Sequence, residues 1–216
     1  MAKVRVHNLL VTLDGFSTGE GQNLNAAFGH AQEQFQQWFR ALRLWRGMQP
    51  DGPMTVDEAI ADLWGKGIGA EIMGRNKFKP SSGPWDPDDD WRGWWGEDPP
   101  FHTACFVLTH HPRPPLRMGG GTTFHFVDAS PADAVELATQ AANGLDVRLG
   151  GGPTTVREFL SADLIDHLHV IVVPIVIGRG IRLWDGLEGV QERFDVQTVS
   201  TPSGAAHVTF TRKRPA

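Results

Sequence analysis

Three glycines run together at Gly150, Gly151 and Gly152, between the apolar end of a short strand and the segment PTTVREFL. The order is strand, glycines, proline, two threonines, helix. The first turn of a helix carries N–H groups with no partner and the positive end of the helix dipole, so it attracts anions. Each such contact contributes about 0.3–1 kcal/mol. Glycine adds no Cβ, so a phosphate can approach the backbone closely, and Thr154 and Thr155 add hydroxyl donors. One reading is a dinucleotide pyrophosphate seated on this turn. The other is a tight strand-to-helix turn with no ligand, and the residues alone leave both open. The spacing is not G-x-G-x-x-G. A second cluster, Gly65-Lys66-Gly67-Ile68-Gly69, follows a helix and precedes a strand, which reads as a helix end and a turn.

Asp14 is the residue best placed for reaction chemistry. It follows the first predicted strand, and open α/β sheets collect their ligands at strand ends. A carboxylate there can orient a polar group or relay a proton. An Asp-Gly pair also simply makes turns, and that reading stands beside the first. The segment 79–100, KPSSGPWDPDDDWRGWWGEDPP, holds four of the eight tryptophans. Asp86, Asp88, Asp90 and Glu97 fall at calcium-loop spacing, but Trp91 occupies the place that needs glycine and Pro87 interrupts the run. Two readings remain: a lid whose Trp94 or Trp95 stacks on a flat ring, or packing on the domain or in a homodimer interface. The single cysteine, Cys105, sits in the apolar stretch ACFVLT and reads as core.

These residues need elements to hold them. Strands are predicted at Val4–Thr12, Ala70–Met73, Ala104–Thr109, Thr123–Val127, Asp146–Leu149, Ile165–Ile177, Phe194–Ser200 and Ala206–Arg212. Pro174 implies a bulge or an edge within the sixth. Helices are predicted at Ala26–Trp45, after Thr55 with its capping-box Glu58, at Pro131–Ala142 after Ser130, and at Pro153–Ser161. Alternation followed by a run of strands predicts an α/β fold: a mainly parallel sheet flanked by helices, with antiparallel strands at the C-terminal edge. The 216 residues fit one domain. A formal net charge of −5 without a basic stripe argues against nucleic acid. No apolar run is long enough to span a bilayer, no signal peptide is read, and one cysteine suits a reducing cytoplasm.

Several segments, in order, resemble known proteins. LGGGPTTVREFL resembles the I-G-G-G-x-x-(Y)-x-x-F-L segment of the dihydrofolate reductase fold, and Ile72-Met73-Gly74-Arg75 resembles its V-M-G-R segment. Val107-Leu108-Thr109 sits where that fold's next strand ends near the cofactor. Thr12-Leu13-Asp14-Gly15 resembles the S-L-D-G signature of the reductase domain of bifunctional riboflavin-biosynthesis deaminase/reductases. Leu164–Leu168 and Val173–Trp184 resemble that family's L-(L/V)-D-E-L … P-(V)-(L)-(L)-G-x-G-x-x-L-F block, with His167 in place of the acid.

The resemblance implies an NADPH-dependent oxidoreductase acting on a C=N or C=O group of a small planar heterocycle, pteridine- or pyrimidine-like. It implies Gly150, Gly151, Gly152, Pro153, Thr154 and Thr155 at the phosphates and Leu149 beside the nicotinamide. Gly74 and Arg75 would hold the adenosine phosphates, with Thr12, Leu108, Thr109 and His110 also at the cofactor. A guanidinium binds a 2′-phosphate as a fork, which favours NADPH. Asp14 would be catalytic and touch substrate, with Phe35 beside it; the lid read from the loop itself would add Trp94. Phe35 stands at or near the position where dihydrofolate reductases carry a carboxylate on the first helix, which speaks against folate reduction. The deaminase zinc motif is absent. A non-catalytic nucleotide- or small-ligand-binding module of the same fold is the alternative. No metal and no membrane partner is expected, and a homodimer is.

Overall fold

The computed structural model describes residues 2–43 and 53–213. In chain order the strands and helices are β1 (Val4–Thr12), β2 (Phe16–Thr18), α1 (Gln32–Ala41), α2 (Val56–Ala61), β3 (Ile68–Gly74), α3 (Arg75–Phe78), β4 (Ala104–Leu108), β5 (Arg113–Arg117), β6 (Thr123–Val127), α4 (Pro131–Ala141), β7 (Asp146–Leu149), α5 (Pro153–Ser161), β8 (His167–Val173), β9 (Ile181–Arg182), β10 (Phe194–Ser200) and β11 (Ala206–Arg212). Trp45, the expected end of the first helix, lies outside the described residues.

Local chemistry explains the boundaries. The Thr55 hydroxyl accepts from Glu58 N at 3.1 Å, and the Glu58 carboxylate accepts from Thr55 N at 3.3 Å, a closed capping box on α2. The Ser130 hydroxyl caps α4 through Asp133 N, with Pro131 in the first turn. β8 stops at Val173 because Pro174 has no N–H to donate to the ladder. α5 buries Val156, Phe159 and Leu160 on one stripe and exposes Thr154, Glu158 and Ser161. Each large apolar side chain buried this way stabilises by about 1.5–3 kcal/mol.

The chain forms two compact units. One comprises residues up to 5 and Gly67–Ile165; the other comprises Val6–Lys66 and the chain from Asp166 onward. In the first, β7 pairs in parallel with β1 and with β3, β3 with β4, and β4 with β6, while β5 closes the edge antiparallel to β6. α4 packs on β3 and β4, and α5 on β3. In the second unit β11 lies antiparallel between β8 and β10, and β2 pairs with β9. The result is the mixed α/β architecture the sequence predicts, with a parallel centre and antiparallel strands at the C-terminal edge.

Each unit has its own core. Met73, Phe78, Cys105, Val107, Phe124 and Phe126 fill the first, and Trp85, Trp91 and Trp95 pack against them. The tryptophan-rich segment is therefore an extension of that core. Leu10, Phe35, Leu42, Ile171 and Val173 fill the second.

Candidate functional site

The three glycines have three different structural causes. A Cβ on Gly150 would collide with the Glu71 carboxylate and the Lys77 ammonium. Gly151 has φ +95°, a conformation that L side chains rarely adopt. Gly152, the N-cap of α5, has nothing within 4 Å of the space a Cβ would fill. The turn is thus packed at Gly150, buried at Gly151 and open at Gly152. Gly150 N donates to Ile72 O at 2.8 Å, and Gly74 N donates to Gly151 O at 3.1 Å, which ties the turn to β3. Thr155 is buried against Gly74, whose Cβ would strike the Thr155 hydroxyl. Gly152 O accepts from Val156 N as the first helical bond. Among the described residues, the N–H groups of Gly151, Thr154 and Thr155 have no hydrogen-bond acceptor. Thr154 is exposed, Pro153 is buried, and Leu149 is fully buried at the end of β7. The open face and the unpaired donors fit a phosphate group.

Beneath the turn lies an ion triad of buried Glu71 and Arg148 with half-buried Lys77. Glu71 on β3 and Arg148 on β7 stand opposite each other in the parallel register. Arg148 Nε and Nη2 donate to the two Glu71 oxygens at 2.5 and 2.6 Å, a bidentate pair. Lys77 Nζ donates to Glu71 Oε1 at 3.3 Å and to Gly150 O at 2.7 Å. Burial pulls the Lys77 pKa below its ordinary value, while Glu71 opposes that shift. Two basic side chains thus share one carboxylate under the glycines. The Lys77 bond also fixes the Gly150 carbonyl on the inner side. In a trans peptide the N–H of the next residue then points the opposite way.

Arg75 opens α3 immediately after Gly74. Its Nη1 donates to Gly83 O at 2.6 Å and to the Thr109 hydroxyl at 3.3 Å, and its Nη2 donates to the Ser81 hydroxyl at 3.3 Å. Its guanidinium carbon lies 3.9 Å from the centre of the Trp85 ring. Burial lowers its pKa. Arg113 stacks on the same indole at 4.2 Å and on Phe126 at 4.1 Å. Thr109 is buried; Leu108 is half-buried. His110 is exposed, its Nδ1 3.0 Å from Asp128 Oδ1, and it lines an open hollow of about 600 Å³ with Trp85, Asp86, Asp89 and Arg113. Trp94 is half-buried and meets Trp91 edge-on at 4.9 Å.

In the second unit, Asp14 caps a turn. The Thr12 hydroxyl donates to Asp14 Oδ1 at 2.5 Å, and Ile177 N and Gly178 N donate to Oδ2 at 3.1 and 2.7 Å. Partial desolvation raises the pKa of this carboxyl, but the bonds from Thr12, Gly178 and Ile177 outweigh it and hold it below its ordinary value. Asp14 is therefore an ionised acceptor at neutral pH, suited to orienting a donor and unsuited to giving up a proton. Thr12 is buried and accepts from Phe16 N at 3.0 Å. Phe35 is fully buried, stacked on Phe28 at 4.9 Å, so its ring is spent on the core. Glu33 on the same helix is exposed.

The same unit holds a polar chain that sequence reasoning missed. Asn8 N lies 3.4 Å from His169 Nδ1, His169 Nε2 is 2.9 Å from His207 Nδ1, and His207 Nε2 is 2.8 Å from Asp57 Oδ1. Asn8 N can only donate, so each ring passes its one proton toward Asp57. Desolvation and the neighbouring histidines push the His169 pKa down to about 3. Glu71, Lys77 and Arg148 were missed as well. Their signal was an acid inside apolar AEIM and a base inside DVRL, which gains meaning only once β3 and β7 are known to be neighbours. Among the described residues no group of three or more His, Cys, Asp or Glu side chains is arranged to hold a metal ion, and no helix is long and apolar enough to cross a membrane.

Comparison with known proteins places this geometry in a family. No curated protein matches the chain. A putative riboflavin biosynthesis protein from Shewanella sp. PV-4 aligns at 20% identity and a TM-score of 0.56, covering 99% of this chain and 100% of that one. A deaminase/reductase from Thermotoga maritima, described as a diaminohydroxyphosphoribosylaminopyrimidine deaminase and 5-amino-6-(5-phosphoribosylamino)uracil reductase, aligns at 13% and 0.49, covering 98% of this chain and 57% of that one. A dihydrofolate reductase from Enterococcus faecalis, complexed with NADP(H), aligns at 13% and 0.48, covering 99% and 97%. The RibD C-terminal domain family model matches residues 3–208, and the chain belongs to that family.

Proposed function

We propose that the protein is a reductase that moves a hydride from NADPH to a C=N or C=O group of a small planar heterocycle, pyrimidine- or pteridine-like. The observation that carries the proposal is the turn at Gly151–Gly152. It is open at Gly152, its donors at Gly151, Thr154 and Thr155 are unpaired, and the Glu71–Arg148–Lys77 group lies beneath it. It occurs in a chain of the RibD C-terminal domain family.

The residues divide the work. The N–H groups of Gly151, Thr154 and Thr155 would bind the pyrophosphate. Lys77 holds the Gly150 carbonyl away from it. The dinucleotide, when bound, supplies the hydride. Asp14, ionised and fixed by Thr12, would accept a hydrogen bond from a substrate N–H or O–H and so orient the acceptor group. The proton that completes reduction comes from another donor, water or the substrate itself, because the Asp14 carboxyl is held ionised.

The non-catalytic module remains the second reading, favoured by one observation: Asp14 already spends both oxygens on its own turn. Consumption of NADPH with pyrimidine and pteridine candidates separates the two. Oxidation of NADPH that depends on the heterocycle supports the reductase; binding without turnover across the panel supports the module. The proposal includes a cytoplasmic homodimer. β10 lies at the sheet edge with Val196 and Val199 exposed, a surface open to a second copy, and sedimentation gives the mass that checks it.

A further inference from the structure

The position of Arg75 and the use of its side chain point in different directions. Its backbone adjoins the phosphate turn, since Gly74 N binds Gly151 O and Gly74 abuts Thr155. Its guanidinium, however, is turned onto the protein's own acceptors. Gly83 O and Thr109 Oγ1 take the Nη1 donors, Ser81 Oγ takes one of the two Nη2 donors, and the Trp85 indole covers one face at 3.9 Å. Its Nε is buried without a partner. The segment that does this is itself anchored. Trp85 Nε1 donates to His111 O, and its ring packs edge-on against Phe126 at 5.1 Å and Phe78 at 6.1 Å. Arg113 covers the same indole at 4.2 Å.

A phosphate on the ribose 2′-oxygen is recognised by a guanidinium fork only when the fork is available. Here a two-bond grip on a phosphate would need either the buried Nε or a bond already made to Ser81, Gly83 or Thr109. Exchange of this kind gives little net gain. Resting on the proposed cofactor site, we infer that the Ser81–Trp85 segment is the specificity determinant of the dinucleotide site: it holds Arg75 on internal acceptors, so NADPH is used without being selected over NADH. The general composition of the segment points the same way. It supplies neutral acceptors and an aromatic face, which satisfy an arginine without any anion from outside.

The test is calorimetric titration of the full-length protein with NADPH and with NADH. The expected wild-type result is binding of both, with dissociation constants within about threefold, since the extra phosphate finds no free guanidinium fork. Trp85→Ala removes the ring that anchors the Ser81–Gly83 acceptors against Arg75, releases the guanidinium fork and tightens NADPH by about tenfold relative to NADH, and adding Arg75→Ala removes that gain. A wild-type preference for NADPH of tenfold or more, lost with Arg75→Ala alone, overturns the inference and leaves the reductase reading intact. Equal wild-type affinities with no shift in Trp85→Ala overturn the role of the segment. Binding of neither dinucleotide to folded protein overturns the cofactor site itself. The wild-type ratio needs no variant, so the inference stays testable if Trp85→Ala fails to fold.

Discussion

Glu71 and Arg148 face each other across β3 and β7 as a bidentate pair at 2.5 and 2.6 Å, in a strand register that seats both beneath the glycine turn. Each is almost fully buried, and Lys77 completes the group. Removing one partner of such a pair leaves an uncompensated buried charge. Arg148→Met is expected to destabilise by about 3–5 kcal/mol. Replacing Glu71 and Arg148 together by methionine is expected to cost less than the sum of the two single changes. Urea unfolding of the three variants checks both statements.

The glycines answer to different forces, so their substitutions should separate. Gly150→Ala drives a methyl into Glu71 and Lys77 and is expected to cost about 1–3 kcal/mol of stability. Gly152→Ala meets open space and should leave the melting temperature nearly unchanged while weakening dinucleotide binding. Thermal melts paired with titration of each variant decide it. A Gly152→Ala protein that binds as wild type does would show that the open face is not where phosphate approaches.

Asp14 carries a pH signature. Its folded pKa lies below the unfolded value, so its contribution to stability is present above the unfolded pKa and is lost as pH falls through the folded one, in the acidic range below about pH 4. Turnover should accordingly show no limb from Asp14 across the neutral range. Asp14→Asn is expected to lower kcat/KM without moving the pH optimum. An optimum that shifts with Asp14→Asn would make Asp14 a proton-transfer group after all.

His169 runs the other way in origin but has the same sign. Its folded pKa is depressed from 6.5 to about 3. As pH falls below 6.5 the unfolded chain takes up a proton there and the folded chain does not. Stability should drop by up to about 1.4 kcal/mol per pH unit across that window. His169→Gln is expected to be less stable than wild type at pH 8 and to lose less on going to pH 5. Denaturant midpoints at the two pH values test the difference.

Much of the fold was legible in the sequence. β1, β6, β7, α5, β10 and β11 begin and end where apolar periodicity, caps and prolines place them. β5 was not, because RPPLR carries two prolines and reads as loop; it survives only as an edge pairing with β6 through Arg113, Leu116 and Arg117. α3 is too short for periodicity to show. For the site, the glycine turn was legible as a motif, but its two faces were not. That Gly150 packs against an ion triad while Gly152 stays open depends on which strands adjoin. Arg75 was legible as a cation near the turn, yet the tryptophan segment that engages it could be read only as a loop of unusual composition.

The most direct test of the central claim is a titration of the purified full-length protein with NADPH, followed by quenching of its own tryptophans, on wild type and on Gly152→Asp, where a side chain meets open space. Saturable micromolar binding, weakened when a carboxylate is placed on the turn, is the predicted result. Absence of binding up to millimolar NADPH in a protein shown to be folded would mean that the three glycines serve only the turn, and it would contradict the assignment of a dinucleotide site.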